Sequence, residues 1–285
     1  MILVTGATGS VGRELLARLA AAGEPVRAMS RKPDGIRLPP GAEAVYGDAE
    51  DAASLDAAFR GVDAAYLMSA QPVGSAPRPT HILELAAAAR RAGTARLVLL
   101  STYLADAGRT DPLSVWQSEA ETAVTGSGSA WALLKPGRFM TNVLNWAPMI
   151  ARGDTVPIPY ADLPAVSIDP ADIAEIAAAA LTTDAYDSTA YQLTGPEALT
   201  PREELAVIGA EIDRPLRAVE PPAGAFRAGL MRSGMSEEVV DSVLTLMRDD
   251  PTPAEILPTV PRLLGRPATR FADWVTRNRA AFAAG

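Results

Sequence analysis

The chain opens Met1-Ile2-Leu3-Val4-Thr5-Gly6-Ala7-Thr8-Gly9-Ser10-Val11-Gly12-Arg13-Glu14-Leu15: an aliphatic run, glycines at 6, 9 and 12, then an apolar stripe at helical spacing. Its physical reading is a strand, a tight turn and a helix. A Gly-x-x-Gly-x-x-Gly turn in that setting aims backbone N–H groups and a helix N-terminus at an anion. The first glycine permits the turn, the second lets a pyrophosphate approach the backbone, and the third lets helix and strand pack closely. Gly6, Thr8, Gly9, Ser10, Val11, Gly12 and Arg13 are therefore expected to hold the phosphates of a dinucleotide. A glycine-rich turn with no ligand is the alternative, and the strand–turn–helix context weighs heavily against it.

Working outward, short apolar runs alternate with Ala/Leu-rich helical runs. Strands are predicted at Ile2–Thr5, Val26–Met29, Ala44–Tyr46, Ala64–Met68, Leu97–Ser101 and Ala130–Lys135. Helices are predicted between them at Val11–Ala22, Ala52–Phe59, Thr80–Ala92 and Leu113–Thr125. This alternation predicts an α/β fold with a Rossmann-type, doubly wound parallel sheet. After Pro136 the rhythm changes to a helix at Ile173–Leu181, a strand at Ala190–Leu193, a helix at Pro201–Glu211 and mostly helical sequence beyond. The expected organisation is a dinucleotide-binding domain over 1–150, to which 165–195 returns, and a smaller, mostly helical substrate-binding lid over 151–285.

Composition narrows the function classes. The 285 residues carry a net charge of −8, which argues against general affinity for nucleic acid or an anionic membrane. No apolar run has the length a membrane helix needs, and a strand beginning at Ile2 leaves no room for a signal or transit peptide. A cytoplasmic protein is the expectation. With no cysteine and one histidine, His81, neither a thiolate site nor a multi-histidine metal centre can be built, and no metal is expected. His81 reads as a capping or surface residue, with a place near substrate as the alternative. Asp169 and Asp172 flank Pro170 as a helix cap and a first-turn carboxylate.

About twenty residues past a phosphate loop, an acid normally binds the adenosine ribose of NAD. Here the second strand ends Met29-Ser30-Arg31-Lys32, and two cations with a hydroxyl suit the 2′-phosphate of NADPH. The competing reading makes Arg31 and Lys32 a solvated loop and gives the ribose to Asp34. Asp48 is a candidate for the adenine amino group or a plain turn aspartate. Ser69, Ala70 and Gln71 follow the fourth strand, where the rest of a dinucleotide would lie.

These features, with Gly61-Val62-Asp63, Leu99-Leu100-Ser101, Lys135-Pro136-Gly137-Arg138-Phe139-Met140-x-Asn142, Asp169-x-x-Asp172-Ile173-Ala174 and Leu193-Thr194-Gly195-Pro196, resemble the NmrA-like group of atypical short-chain dehydrogenases over essentially the whole chain. The resemblance implies that Lys135, Pro136 and the loop after them pass the nicotinamide, and that the later chain covers substrate. It also implies a choice between NADPH-dependent quinone or ketone reductases, including those that tailor aromatic polyketides in antibiotic pathways, and non-catalytic redox sensors.

Short-chain dehydrogenases normally move the substrate proton with a Tyr-x-x-x-Lys pair, whose lysine lowers the tyrosine's pKa. The chain has only two lysines, Lys32 and Lys135, preceded at four residues by Ala28 and Trp131, so no such pair exists. Aligned on the family's helix, Gln117 takes the tyrosine's place and Glu121 the lysine's, with the opposite charge. Ser101, Tyr103 and, more weakly, Gln117 remain as candidate donors; Ser101 as a plain strand end and Tyr103 as a packed ring are the alternatives.

The enzymatic expectation is hydride transfer from NADPH to a small aromatic or apolar ketone or quinone; the alternative is a non-catalytic NADP(H)-binding sensor or partner protein. Phe139, Asn142, Trp146, Phe226 and Met231 are candidates to line the substrate pocket, with core packing as the alternative for Asn142 and Trp146. A monomer and a homodimer are both compatible with the sequence.

Overall fold

The structure is a computed structural model that describes residues 1–285 apart from 69–70, 72–74, 76–77, 107–109, 223, 250–254 and 284–285. In chain order its first elements are β1 (Ile2–Val4), α1 (Ser10–Ala21), β2 (Val26–Ser30), β3 (Ala42–Tyr46), α2 (Ala52–Ala58), β4 (Ala64–Leu67), α3 (Thr80–Ala92), β5 (Arg96–Leu100), α4 (Pro112–Thr125) and β6 (Ala130–Pro136). There follow α5 (Ala147–Ile150), β7 (Thr155–Pro157), β8 (Ala165–Val166), α6 (Pro170–Thr182), β9 (Thr189–Leu193), β10 (Ala198–Leu199), α7 (Pro201–Glu211) and β11 (Arg217–Val219). The last helices are α8 (Ala225–Arg232), α9 (Glu237–Asp249), α10 (Thr259–Leu264), α11 (Phe271–Arg277) and α12 (Ala280–Ala283).

Two compact units result: Met1–Pro136 with Ile173–Gln192, and Gly137–Asp172 with Leu193–Gly285. The first ends at Pro136 because the next residues join another core: Met140, Val143, Trp146 and Ile150 are buried with residues of the second unit.

The first unit is a seven-stranded sheet in the order β3-β2-β1-β4-β5-β6-β9. The neighbours from β3 to β6 pair in parallel. Central strands of such a sheet are covered on both faces and so read as unbroken apolar runs. Accordingly every residue of β1 and β4 is buried. The edge strand β3 carries exposed Glu43, Ala44 and Tyr46. Leu3, Met29, Leu55, Phe59, Leu85, Leu97 and Leu133 form the core on one face. On the other side α1 packs on β1 and β2, and Arg18 joins it to Glu175 of α6 at 3.1 Å.

Local chemistry sets the helix ends. Asp51 caps α2 by accepting from the amides of Ala53 and Ser54, and Asp111 caps α4 with Pro112 at its first position. Thr200 and Glu203 form a reciprocal capping box on α7. Gly93 ends α3 at φ 70°, a left-handed conformation that only glycine adopts without strain.

The second unit has its own core of Met140, Trp146, Ile158, Leu205, Phe271 and Trp274 among others, where Phe271 and Trp274 stack at 6.0 Å. Two small sheets pair β8 with β10 antiparallel and β7 with β11 in parallel. Carboxylates tie its distant segments. Glu204, fully buried, accepts from Arg138 at 2.5 Å and Ser167 at 2.9 Å. Asp172 accepts from Arg266 at 2.8 Å and from the Thr269 amide at 2.8 Å. Asp169 takes the Ala171 amide at 2.9 Å and the Arg277 guanidinium. Asp169 and Asp172 thus fasten the C-terminal segment as well as opening α6. Among the described residues no helix is long and apolar enough to cross a membrane.

Phe59 is wholly buried between α2 and the sheet. Phe59→Ala should destabilise the protein by about 3–5 kcal/mol through lost burial and an unfilled cavity. A urea melt checks this, as a drop in midpoint at unchanged slope.

Candidate active site

In the first unit the chain runs outward from β1 to β2 on one side and to β4 on the other, so the winding reverses between β1 and β4. In open α/β sheets the crevice at such a reversal, beyond the carboxyl ends of the strands, is where ligands bind. Thr5 fastens this point. Its hydroxyl lies 3.0 and 3.1 Å from the carbonyl oxygens of Met68 and Tyr66 and accepts the Met68 amide at 2.7 Å.

The turn that follows is built on contacts only glycine allows. A Cβ on Gly12 would lie 2.2 Å from the Gly6 carbonyl oxygen, and one on Gly6, at φ 60°, would meet Met68 Sδ at 2.7 Å. The Gly9 amide closes the turn on Gly6 O at 2.9 Å. Gly9 is also the N-cap of α1 and offers no side-chain cap, so the first-turn amides of Ser10, Val11 and Gly12 have no acceptor among the described residues. Unpaired N–H groups at the start of a twelve-residue helix form a site for an anion. The residues present fit a dinucleotide pyrophosphate. Thr8 and Arg13 are exposed beside them.

Arg31 and Lys32, directly after β2, are both exposed, and among the described residues neither forms an ion pair; the Lys32 amide is held by Ser30 Oγ at 3.0 Å. Asp34 is exposed on the short 3-10 turn Pro33–Gly35. Asp48 is half-buried and closes its own turn by accepting the Glu50 amide at 3.1 Å. Gly47 before it sits where a Cβ would meet Met29 at 2.5 Å. Ser69 and Ala70 lie outside the described residues. Gln71 is described and binds Thr80 Oγ1 at 3.0 Å and the His81 amide at 3.1 Å. His81 itself points to the exposed Glu50 at 3.6 Å.

The candidate proton donors gather at the carboxyl ends of β5 and β6. Ser101 is buried at the end of β5, and half-buried Tyr103 starts a 3-10 turn, Tyr103–Asp106, that packs on α4. Gln117 and Glu121 are one turn apart on α4 and so share a face. The Gln117 amide makes no side-chain hydrogen bond among the described residues. Glu121, by contrast, is fully engaged. It accepts from Ser101 Oγ at 2.5 Å and from Lys135 Nζ at 2.9 Å. Lys135, on β6, is only 1% exposed.

Two positions read from the sequence gain a context here. The charge of Glu121 is met by an ammonium from the neighbouring strand, an encounter that spacing on α4 could not reveal. Lys135, expected near the cofactor, also pairs with Glu121, and Pro136 beside it is buried. The signal was present in kind: a lysine on a buried strand requires a carboxylate partner. Tyr66 does not replace the missing tyrosine. It is buried on β4, its hydroxyl has no hydrogen-bond partner among the described residues, and desolvation pushes its pKa far above the ordinary phenol value.

The five residues expected to touch substrate all lie in the second unit. Trp146 is 8% exposed within that unit's core, so its ring is used in packing. Phe139 is half-buried and Asn142 exposed at the start of the 3-10 turn Met140–Trp146. Phe226 is half-buried and Met231 42% exposed on α8, none of whose residues is fully buried. Arg227 ties α8 to Glu237 of α9 at 2.9 Å and to Asp241.

Residues 6–184, the loop and sheet just described, match the model of a family described as NAD(P)H-binding. The chain belongs to that family. It is 41% identical over 287 residues, 99% of each chain, to the (4-alkanoyl-5-oxo-2,5-dihydrofuran-3-yl)methyl phosphate reductase of Streptomyces griseus. It is 31% identical over 288 residues, 100% of both chains, to an NAD(P)H azoreductase of Xenophilus azovorans. A solved NADPH-dependent quinone oxidoreductase of Escherichia coli with NADPH bound has the same fold, with TM-score 0.79 at 24% identity over 98% of this chain and 99% of that one. The protein is an NAD(P)H-dependent reductase. That assignment displaces the sensor alternative.

Gly12→Ala should weaken NADPH binding at least about tenfold, because the loop must open to admit the methyl group and its amides then lose their common focus. Quenching of tryptophan fluorescence on titration measures it.

Proposed function

We propose that the protein reduces an electron-poor carbonyl acceptor, a ketone or quinone or a double bond conjugated to a carbonyl, with NADPH as donor. The bound nicotinamide supplies a hydride; the chain supplies position and a proton. The observation that carries this reading is the set of groups around Ser101. With Gln117 and Glu121 read where the family holds tyrosine and lysine, the chain has no Tyr-x-x-x-Lys pair to protonate the acceptor. An acceptor that spreads the incoming charge over a carbonyl needs least help at that moment, and near-attack geometry then supplies most of the acceleration. Ser101 and Tyr103 are the hydroxyls this reading assigns to the carbonyl oxygen. Gln117 can orient it but cannot protonate it. The Streptomyces griseus relative, named for a ring bearing both a ring carbonyl and an alkanoyl group, supports such an acceptor for this chain. Half-buried Phe226 and Phe139 and exposed Met231 are apolar and adaptable enough to hold an aromatic or acyl portion.

The preference for NADPH rests on Arg31 and Lys32, exposed cations with no ion pair among the described residues, joined by exposed Arg13. A charge-assisted hydrogen bond to a 2′-phosphate gives the discrimination that an acid in their place would reverse.

Two measurements test this. Titrated calorimetrically, Arg31→Ala should lose about tenfold or more in NADPH affinity while NADH changes less than about twofold, the loss of one charged contact being worth about 1.5–3 kcal/mol. Equal losses for both cofactors reject the 2′-phosphate assignment. NADPH absorbance followed with quinones, aromatic ketones, acylated butenolides and azo dyes tests the acceptor. Oxidation by the azo dyes alone rejects a carbonyl acceptor.

A further inference from the structure

Stability explains why buried Lys135 has a carboxylate beside it, but not why a lysine stands there at all or why Ser101 joins the pair. A buried ion pair is often no better than an apolar pair of the same shape, and Lys135 stands on a strand whose neighbours Leu133 and Leu134 are apolar and buried. Nor does the cluster stop at the pair. The same carboxylate oxygen, Glu121 Oε1, lies 2.8 Å from Lys135 Nζ and 2.5 Å from Ser101 Oγ. A continuous line of hydrogen-bonded heavy atoms thus leads from an ammonium at 1% exposure to a hydroxyl at the carboxyl end of β5.

We infer that Lys135, Glu121 and Ser101 are a proton-delivery chain that replaces the tyrosine–lysine pair of the wider family. This rests on the proposed reductase function and supplies its proton. As the acceptor gains two electrons and negative charge, the Ser101 O–H bond breaks and a bond from that proton to the acceptor forms. Ser101 Oγ takes a proton across Glu121, and Lys135 Nζ–H breaks to replace it. The balance is one proton from Lys135 and one hydride from the donor. Ser101 ends as a hydroxyl, Glu121 as a carboxylate and Lys135 as a neutral amine that recovers its proton from water. The hydroxyl proton, aimed at Glu121 in the resting state, turns toward the acceptor by rotation about Cβ–Oγ alone. Ser101 is the catalytic residue of the three; Glu121 and Lys135 act through it.

The chain holds only two lysines, so lysine-selective nitrogen-15 labelling gives two side-chain signals, one of them Lys135. In the protein without ligands, Ser101→Ala should slow hydrogen exchange of the Lys135 ammonium about tenfold if Ser101 is its route outward. An unchanged exchange rate overturns the chain, and this readout needs no substrate.

In turnover, measured with whichever acceptor consumes NADPH, Ser101→Ala and Glu121→Gln should each lower kcat about 100-fold and leave NADPH affinity within about twofold. The proton inventory of the wild type in mixed water and heavy water should be curved and that of Glu121→Gln linear. Lys135→Arg keeps the charge but not a releasable proton, so it should melt as the wild type does and still lose turnover. If Lys135→Arg turns over normally, or if Glu121→Gln weakens NADPH tenfold with the inventory still curved, the chain is overturned and the cluster is a structural or ribose-holding device. The double variant Glu121→Gln/Lys135→Met removes both charges together and covers the case in which a single variant fails to fold. A wrong acceptor class would appear in the absorbance panel and leave these outcomes readable.

Discussion

The approach of Gly12 to the Gly6 carbonyl, closer than any side chain permits, is the constraint on which the site depends. It brings the first turn of α1 against the end of β1. Three amides with no acceptor among the described residues then converge at the point where the sheet reverses its winding. The Thr5 hydroxyl, bonded across to β4, keeps the two central strands in register there. None of this depends on net charge. A chain of net charge −8 repels anions at long range, so its affinity for a dinucleotide must come from short-range donors. The glycine contacts create those donors.

A second constraint acts across the sheet. A lysine on β6 at 1% exposure is tolerated only with a carboxylate in reach, and α4 provides Glu121. The pairing couples three elements of the first unit, since Ser101 on β5 completes it. The carboxylate on α4 is thus matched by an ammonium from β6. The group at the edge of this cluster is the Ser101 hydroxyl.

The fold was legible because its signals are local. Helix α3 runs over Thr80–Ala92 and α7 over Pro201–Glu211, as read from the sequence, because Gly93 and the Thr200–Glu203 box mark their ends chemically. Strands β7, β8, β10 and β11 span two or three residues and carry no periodicity to read. Met140–Trp146 has helical spacing but folds as a 3-10 turn, and Trp146 belongs to a core because of partners far along the chain, among them Phe271. The phosphate loop was legible for the same local reason. The Lys135–Glu121 pair was not, because its partners are 14 residues apart on different elements and meet only once β6 and α4 are packed.

The chemistry expected of this site follows from which step the chain assists. A tyrosine–lysine pair lowers the barrier for acceptors that cannot hold negative charge, by offering a proton as the charge appears. A buried serine bonded to a carboxylate is a poorer acid at that instant, so it suits acceptors whose own conjugation holds the charge until the proton arrives. Quinones, acylated enones and diketones share that property although their shapes differ. The selectivity of such an enzyme then lies mainly in shape, in the side chains that hold the acceptor's apolar portion, rather than in the proton donor.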